Sequence, residues 1–412
     1  MVWAAGAILV AACSGSTEPN PVPPLITTLP RALSGAEQVA ATATTSFGLT
    51  LFRSVNAQTA RDQNLVLSPV SASLALGMLL NGAEGETLAQ VRSTLGFGST
   101  GLGEVNAAYK ALIPLLGTLD PSVTMTFANA AWFDRGSPPS TTFSQRVAET
   151  FGATVDTASL VDPATVTRIN AWVSAATNAR IRTIVDGFDR LDIAILVNAT
   201  YFKGKWRAQF APSATRSAPF ATGIGASVPV QMMSAPAGLA RATLLGDGTV
   251  VGELPYGGDA FVMTIVMPPL GRIEALVDTL TPAGWQATVA GLPAASTTML
   301  VELPKFRLEV TRQLQRALSD IGMPRPFATA DLNPMFRDPS TERFVSSVLQ
   351  KVFVDVNEEG TEAAAVTAIT IRTTSAGPIP ALVIDRPFLF AIRDRLTGTV
   401  LFLGKVVKPV AA

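Results

Sequence analysis

The chain alternates between stretches with helical spacing of apolar positions and short, nearly continuous apolar runs. Residues 37–57 place Val39, Phe47, Leu51 and Val55 along one stripe of a helix. Leu65-Val66-Leu67 is a short strand. In the following Ser68-Pro69-Val70-Ser71, Ser68 suits an N-cap and Pro69 the first helical position, which predicts a helix to about Leu80. Another helix is expected over roughly Glu86–Leu95. Strand runs are Met125–Phe133, Ala194–Phe202, Val228–Met233, Val250–Pro255, Phe261–Met267, Thr298–Phe306, Val352–Val356, Phe388–Asp394 and Val400–Val406. Several are continuous apolar runs, as expected for strands covered on both faces. Helices gather in the first half and strands in the second, a pattern of the α+β class without internal repeats.

The composition narrows the chemistry. The 412 residues are 48% hydrophobic and 15% charged, enough for a large core. Basic and acidic residues balance at 31 each, and no stretch concentrates Lys or Arg, so no nucleic-acid partner is implied. There is no histidine, which excludes Ser-His-Asp and Cys-His catalysis and a His-ligated zinc from this chain. A single cysteine, Cys13, excludes an intrachain disulfide. Two motifs are decoys. Gly96-Phe97-Gly98-Ser99-Thr100-Gly101 spells a dinucleotide fingerprint but follows a predicted helix, so it reads as a loop. Asn198-Ala199-Thr200 spells a glycosylation sequon but ends an apolar strand, so it reads as buried structure.

Residues 1–12, MVWAAGAILVAA, form an apolar run too short to span a membrane and read as a sorting signal. Leu9-Val10-Ala11-Ala12-Cys13 resembles a bacterial lipobox, although no Lys or Arg precedes the run. That resemblance implies cleavage before Cys13, lipid on its sulfur, and attachment to a bacterial cell envelope on the non-cytoplasmic side. Without lipid the product would be secreted. Residues 13–35 then hold the anchor cysteine and a proline-rich stretch that reads as an extended, solvated tether. The folded domain is expected over 36–412.

Several segments appear in a telling order. They are Asn64-Leu65-Val66-Leu67-Ser68-Pro69-Val70-Ser71 with Asn81-Gly82-Ala83 and Gly85-Glu86-Thr87; Leu196-Val197-Asn198-Ala199-Thr200-Tyr201-Phe202-Lys203-Gly204-Lys205-Trp206; Glu253-Leu254-Pro255-Tyr256; Asn357-Glu358-Glu359-Gly360-Thr361-Glu362-Ala363-Ala364-Ala365; Asp385-Arg386-Pro387-Phe388-Leu389-Phe390; and Phe402-Leu403-Gly404-Lys405-Val406. Together they resemble the serpin family over about residues 37–408. The resemblance implies one domain with three β-sheets, about nine helices and an exposed reactive loop near the C-terminus, about 358–384. It implies no catalytic residue, metal or cofactor. The implied activity is that of a monomeric suicide inhibitor: a serine protease cuts the loop, and the loop inserts into the central sheet before the protease escapes.

The hinge implied by the resemblance is Glu358, Glu359, Gly360, Thr361, Glu362, Ala363, Ala364 and Ala365. If Thr361 inserts first, strand alternation turns Thr361, Ala363, Ala365, Thr367, Ile369, Ile371 and Thr373 inward. None of these is charged or proline. Glu362 and Arg372 fall on the outward series. An ordinary strand would show the same alternation, but Gly377-Pro378-Ile379-Pro380 breaks the chain soon after. In inhibitory serpins the cut usually follows the seventeenth residue counted from the hinge glutamate. With Glu358 as the first, the bond is Thr374–Ser375, which suits an elastase-like or subtilisin-like protease. Arg372–Thr373 is the second choice and would suit a trypsin-like one. The gate beneath the insertion point matches Ser68, Ser71, Asn198 and Lys351, with Trp206 near the top of the sheet. Gln350 stands where the family normally has histidine, and would keep the hydrogen bonds without taking a charge. The alternative is a non-inhibitory serpin acting as a surface binding module, or more remotely an enzyme with an unrelated site. An inward hinge face free of charge and proline speaks for the inhibitor.

Overall fold

A computed structural model describes residues 22–222, 225–338, 343–361 and 381–410. Among these residues there are nine α-helices. They are α1 (Gly35–Ala57), α2 (Pro69–Asn81), α3 (Gly85–Thr94), α4 (Leu102–Thr118), α5 (Thr141–Phe151), α6 (Pro163–Ala176), α7 (Ile273–Asp278), α8 (Pro282–Ala290) and α9 (Gln315–Asp320). The predicted starts of the first helices follow their caps. Ser34 caps α1 in a reciprocal box with Glu37, and the Ser68 hydroxyl accepts from the Ser71 amide with Pro69 in the first turn of α2. Almost every residue of α2 is buried, so it is a central helix rather than an amphipathic surface one.

The strands form two hydrogen-bonded networks. One is a six-stranded sheet in the order β10 (Phe306–Gln313), β11 (Leu349–Val356), β12 (Gly360–Thr361), β4 (Ala194–Lys205), β2 (Val123–Asp134) and β3 (Thr154–Ala158). The other runs β1 (Leu65–Leu67), β15 (Val400–Val406), β14 (Phe388–Asp394), β8 (Phe261–Met267), β7 (Val250–Pro255), β6 (Ser227–Leu244), β9 (Thr297–Pro304) and β13 (Ala381–Val383), with β5 (Arg216–Ala221) also on β6. Strand β6 belongs to two surfaces. Its first part pairs with β5 and β9, its last residues with β7, and the register shifts between Ala235 and Gly238. A bulge of this kind bends a strand, so the second network amounts to two sheets, and the expected three-sheet α+β architecture holds.

The main core lies between the sheets and α1, α2 and α4. A smaller one covers the outer face of the six-stranded sheet, where Ala130, Trp132, Val197 and Ala199 meet Ile169 and Val173 of α6 and Ile181, Ile184 and Val185 after it. Alternation follows directly: Ala131 and Phe133 of β2 enter the main core, while Ala130 and Trp132 enter the smaller one. The sequon lies inside β4, with Asn198 half-buried, and the fingerprint-like glycines form the turn between α3 and α4.

Two expectations need correction. The run Thr298–Phe306 is two strands rather than one: Lys305 still donates its amide to Gln231 O of β6, the partner of β9, but from Phe306 the chain pairs with β11 instead. Residues 23–33, read as part of a solvated tether, lie on the domain instead. Ile26, Leu29 and Leu33 pack against the core edge, and the Arg31 guanidinium grips Glu37 with two hydrogen bonds, 2.6 and 2.9 Å. The Arg31 hydrogen bond holds the Glu37 carboxyl at about 2 against the opposing effect of burial.

The turn after α6 holds Asn178 and Ala179 with φ of 48° and 60°. For alanine that region costs roughly 1–2 kcal/mol, of which glycine's extra unfolded-state freedom cancels about half. Ala179→Gly is therefore expected to stabilise the protein by about 0.5–1 kcal/mol, read as a higher urea midpoint with unchanged slope.

Candidate functional site

The sequence-predicted residues gather at two places along one seam in the six-stranded sheet. Strand β4 is laddered to β2, and β11 to β10. Among the described residues, β4 and β11 share no ladder directly. Only β12 stands between them, with Thr361 opposite Val356 on one side and Gly360 and Thr361 opposite Lys205 and Gly204 on the other.

The upper place is built around Trp206, where β4 ends. The Trp206 amide donates to Glu359 O at 2.8 Å and its indole N–H to Asn357 O at 2.9 Å. Its ring stacks on Tyr256 at 4.4 Å and 13°, and Phe210 closes the far side edge-on. The Tyr256 hydroxyl shares a 2.6 Å hydrogen bond with that of Thr361, so Thr361 faces inward and is buried. Burial pushes the Tyr256 phenol up, so it stays neutral. Gly360 has no room for a side chain. A Cβ there would lie 2.0 Å from Gly204 O and 2.7 Å from Lys205 Cα. Glu358 is fixed by Lys305 at 3.0 Å and by the Thr215 hydroxyl at 2.8 Å. Burial works to raise its carboxyl, but these partners outweigh it and hold the group below the usual range. The Glu359 amide is held by the Asn357 side chain at 3.0 Å.

Tyr256 is presented by a buried charge cluster. Glu253, fully buried, is paired with Arg241 and Arg393 and accepts from Thr264 at 2.9 Å. Burial draws both guanidiniums down to about 10, still charged at neutral pH. Tyr256, Phe210, Thr215 and Lys305 had no assigned role in the sequence. Only Tyr256 lay in a recognised segment, and the rest meet the hinge through contacts far apart in sequence.

The lower place joins β11 to α2. Gln350 is buried and grips the backbone of Ser68 from both sides: Ser68 N–H donates to its Oε1 at 3.1 Å, and its Nε2 donates to Ser68 O at 2.9 Å. The Ser68 hydroxyl also donates to Leu401 O at 2.8 Å. Ser71 and Gln350 line one wall of a cavity of about 800 Å³, and Asn198 lines the other. Asn198 donates to Asn129 Oδ1 at 2.7 Å, and Asn129 donates to Phe151 O at 2.8 Å. Lys351 points to the outer face, to Glu309 at 3.2 Å and Thr183 at 3.5 Å. The cavity thus runs under the seam, bounded by Ala194–Asn198 of β4 and by Leu349 and Gln350 of β11.

The remaining predicted residues, Glu362, Ala363, Ala364, Ala365, Arg372, Thr373, Thr374, Ser375 and Cys13, lie outside the described residues. Among those described, no cluster of acidic or cysteine side chains could hold a metal, and no helix is long and apolar enough to cross a membrane.

The chain as a whole has counterparts among known proteins. A family model described as Serpin (serine protease inhibitor) matches residues 42–409. The chain belongs to the serpin family. It is 36% identical over 355 residues to Serine protease inhibitor 42Dd of Drosophila melanogaster, covering 84% of this chain and 92% of that one. Neuroserpin of Gallus gallus is 33% identical over 364 residues, 85% and 87% of the two chains. Among solved structures, the thermophilic serpin Tengpin in its native state superposes with a TM-score of 0.79 at 27% identity, over 92% of this chain and 95% of that one. A complex of thyroxine-binding globulin with thyroxine gives 0.80 at 26% identity, over 90% and 99%. The family is one of serine protease inhibitors, and in this serpin Glu358–Thr361 lie at the top of the seam.

The Gln350 clamp yields a measurable expectation. Gln350→Ala leaves the buried Ser68 N–H without a partner, at about 1–3 kcal/mol, while Ser68 O keeps its bond from the Ala72 amide, and should lower the unfolding midpoint accordingly. Gln350→His should recover much of this at pH 8. A buried neutral imidazole has a folded pKa below its unfolded value of about 6.5. Its stability is therefore complete above that value and lost as pH falls through it. Urea midpoints of the three proteins at pH 8 and pH 5.5 check both statements. Equal pH dependence of parent and Gln350→His would refute the second.

Proposed function

We propose that this serpin traps serine proteases covalently by inserting its cut loop, from Thr361 onward, between β4 and β11. The supporting observation is the position of Thr361: it sits between the two strands with its hydroxyl on Tyr256, which sets the inward face of any strand that continues from it. By alternation Ala363 and Ala365 share that face, and Glu362 does not. The cavity beneath supplies the volume, and the edges of β4 and β11 that face each other supply the ladder partners.

The chemistry is the protease's own. Its serine attacks the scissile carbonyl, which we place between Thr374 and Ser375, with Arg372–Thr373 as second choice. The amine of the C-terminal piece leaves, and the loop remains esterified to the protease serine. Hydrolysis of that ester frees the enzyme, whereas insertion carries it along the sheet and deforms it first. Each added ladder bond contributes roughly 0.5–1.5 kcal/mol net, and each buried Ile about 1.5–3 kcal/mol. Ten or so inserted residues thus release on the order of 10 kcal/mol, enough to distort an attached active site. The uncut form must be metastable and kinetically held. A small residue at 374 favours elastase-like or subtilisin-like targets, and Arg372 would favour trypsin-like ones. The likeness to thyroxine-binding globulin supports a second reading, a carrier that does not trap. The small, uncharged inward face of the hinge favours the inhibitor. The chain itself supplies no catalytic group in this scheme.

Two experiments test this. Thr361→Arg places a charge among Tyr256, Val356 and Gly204 and costs several kcal/mol. Ala365→Pro removes a ladder donor. Both should convert inhibitor to substrate, while Glu362→Ala should trap like the parent. The parent is incubated with a panel of serine proteases, and covalent complex is scored after boiling in detergent. Mass spectrometry of the released C-terminal fragment locates the cut. Full trapping by Thr361→Arg would sink the register. No complex with any protease of the panel would favour the carrier. For location, we infer lipid attachment at Cys13 and display on a bacterial envelope. Mass spectrometry of membrane-fraction protein should find a diacylated Cys13 at the N-terminus, and an intact bond between residues 12 and 13 would refute it.

A further inference from the structure

We propose that residues 23–33 form a strap that fastens the hinge end of the central sheet and so helps set the barrier to insertion. The proposal rests on the insertion reading above for its functional meaning, and on the following contacts for its existence. The Ile26 amide donates to Gly258 O at 2.8 Å. Arg207, next to Trp206, donates through Nη1 to Pro23 O at 2.9 Å and to Gly257 O at 2.8 Å. One guanidinium nitrogen thus ties the strap to the turn between β7 and β8.

That turn is shaped to receive the strap. A Cβ on Gly258 would meet Ile26 Cδ1 at 2.8 Å and Pro24 O at 3.0 Å, so the strap lies on bare backbone. The turn is held from below by Asp120, which accepts from the Gly258 amide at 2.8 Å. Pro23, Ile26 and Leu29 are the partly covered residues of the segment's first half, every third position. Three residues per turn is the period of a polyproline II strand, which a proline-rich sequence favours and which keeps one face on its support.

The route from strap to hinge is short. Gly257 N–H donates to Lys205 O at 2.9 Å, and the Arg207 amide donates to Pro255 O at 2.9 Å. Lys205 is the ladder partner of Gly360. Tyr256, between these bonds, stacks on Trp206 and bonds Thr361. When a strand enters, the top of β4 must shift relative to β11, and every bond between strap, turn and Arg207 resists that shift. The far end is pinned where Arg31 grips Glu37 at the start of α1.

The test uses the intact chain, a Gly258→Ala variant, and a chain with residues 22–33 replaced by Gly and Ser at equal length. Hydrogen exchange is followed in peptides covering 203–210 and 355–361. The rate at which uncut protein loses trapping capacity and becomes heat-resistant is followed at 37 °C. Releasing the strap should speed exchange of the hinge amides by about tenfold and spontaneous conversion by a similar factor. Freshly prepared variants should still trap. Parent-like exchange and conversion in the replaced chain would overturn the strap. The insertion reading is checked separately, by cutting the parent's loop with a non-target protease. No rise in its unfolding midpoint would refute insertion, and the hinge exchange would then still decide whether the strap holds the sheet end.

Discussion

Strands β4 and β11 are laddered on their outer flanks to β2 and β10, but between them the described chain supplies only the two residues of β12. A strand edge carries backbone donors and acceptors that are costly to leave without partners. The same two strands bury their inner faces over the cavity, and Leu349 and Phe353 pack outward against the α6 layer. Among the described residues the inner face of the sheet is covered and the outer face is covered in part, with Glu309, Thr311 and Gln313 of β10 exposed, and between β4 and β11 only β12 is present. On the insertion proposed above, a strand continuing from Thr361 would complete the ladder there.

The two ends of the seam are fastened by different physics. At the top, aromatic stacking and close backbone contact dominate: Trp206 on Tyr256, with Gly360 and Gly204 both too confined for a side chain. An aromatic pair of this kind contributes about 0.5–1.5 kcal/mol beyond its buried area. At the bottom, a single side-chain amide holds the N-cap of α2 to β11. Stacking can slide, but a two-point amide clamp either holds or lets go. On the insertion proposed above, such fastenings would let the seam open at the top first and yield below afterwards.

Much of this was legible in the sequence. The cap of α2 and the apolar strands of the core lie in local patterns. Gln350 could be read as an amide that keeps a gate's bonds, and the structure gives it two. Other parts were hidden for identifiable reasons. Pro114 sits inside α4 and masks the helical stripe. Pro229 and Pro236 interrupt the long β6, whose full span has no simple alternation. Lys305 made one apolar run out of two strands. The strap was read as solvated because proline density signals an extended chain, which it is. What composition could not show is that Arg207 and the bare backbone of Gly258 await it some two hundred residues away.

The absence of histidine bears on how the barrier behaves with pH. Of the groups that fasten the seam, Gln350, Ser68, Asn198 and Trp206 do not titrate near neutrality, and burial keeps Tyr256 protonated. Glu358 is the titratable exception at the hinge. Because Lys305 and Thr215 hold its folded pKa below the usual range, its contribution is complete above that range and is lost only as pH falls beneath it. Between about pH 5 and 8, where a histidine side chain gains or loses a charge, none of Gln350, Ser68, Asn198, Trp206 and Tyr256 changes protonation. A metastable fold must not be released by its surroundings before a protease arrives. On the proposed reading, fastening the seam with amides, hydroxyls and aromatic groups would remove one such trigger and leave cleavage of the loop and loss of its mechanical fastenings as the events that start insertion.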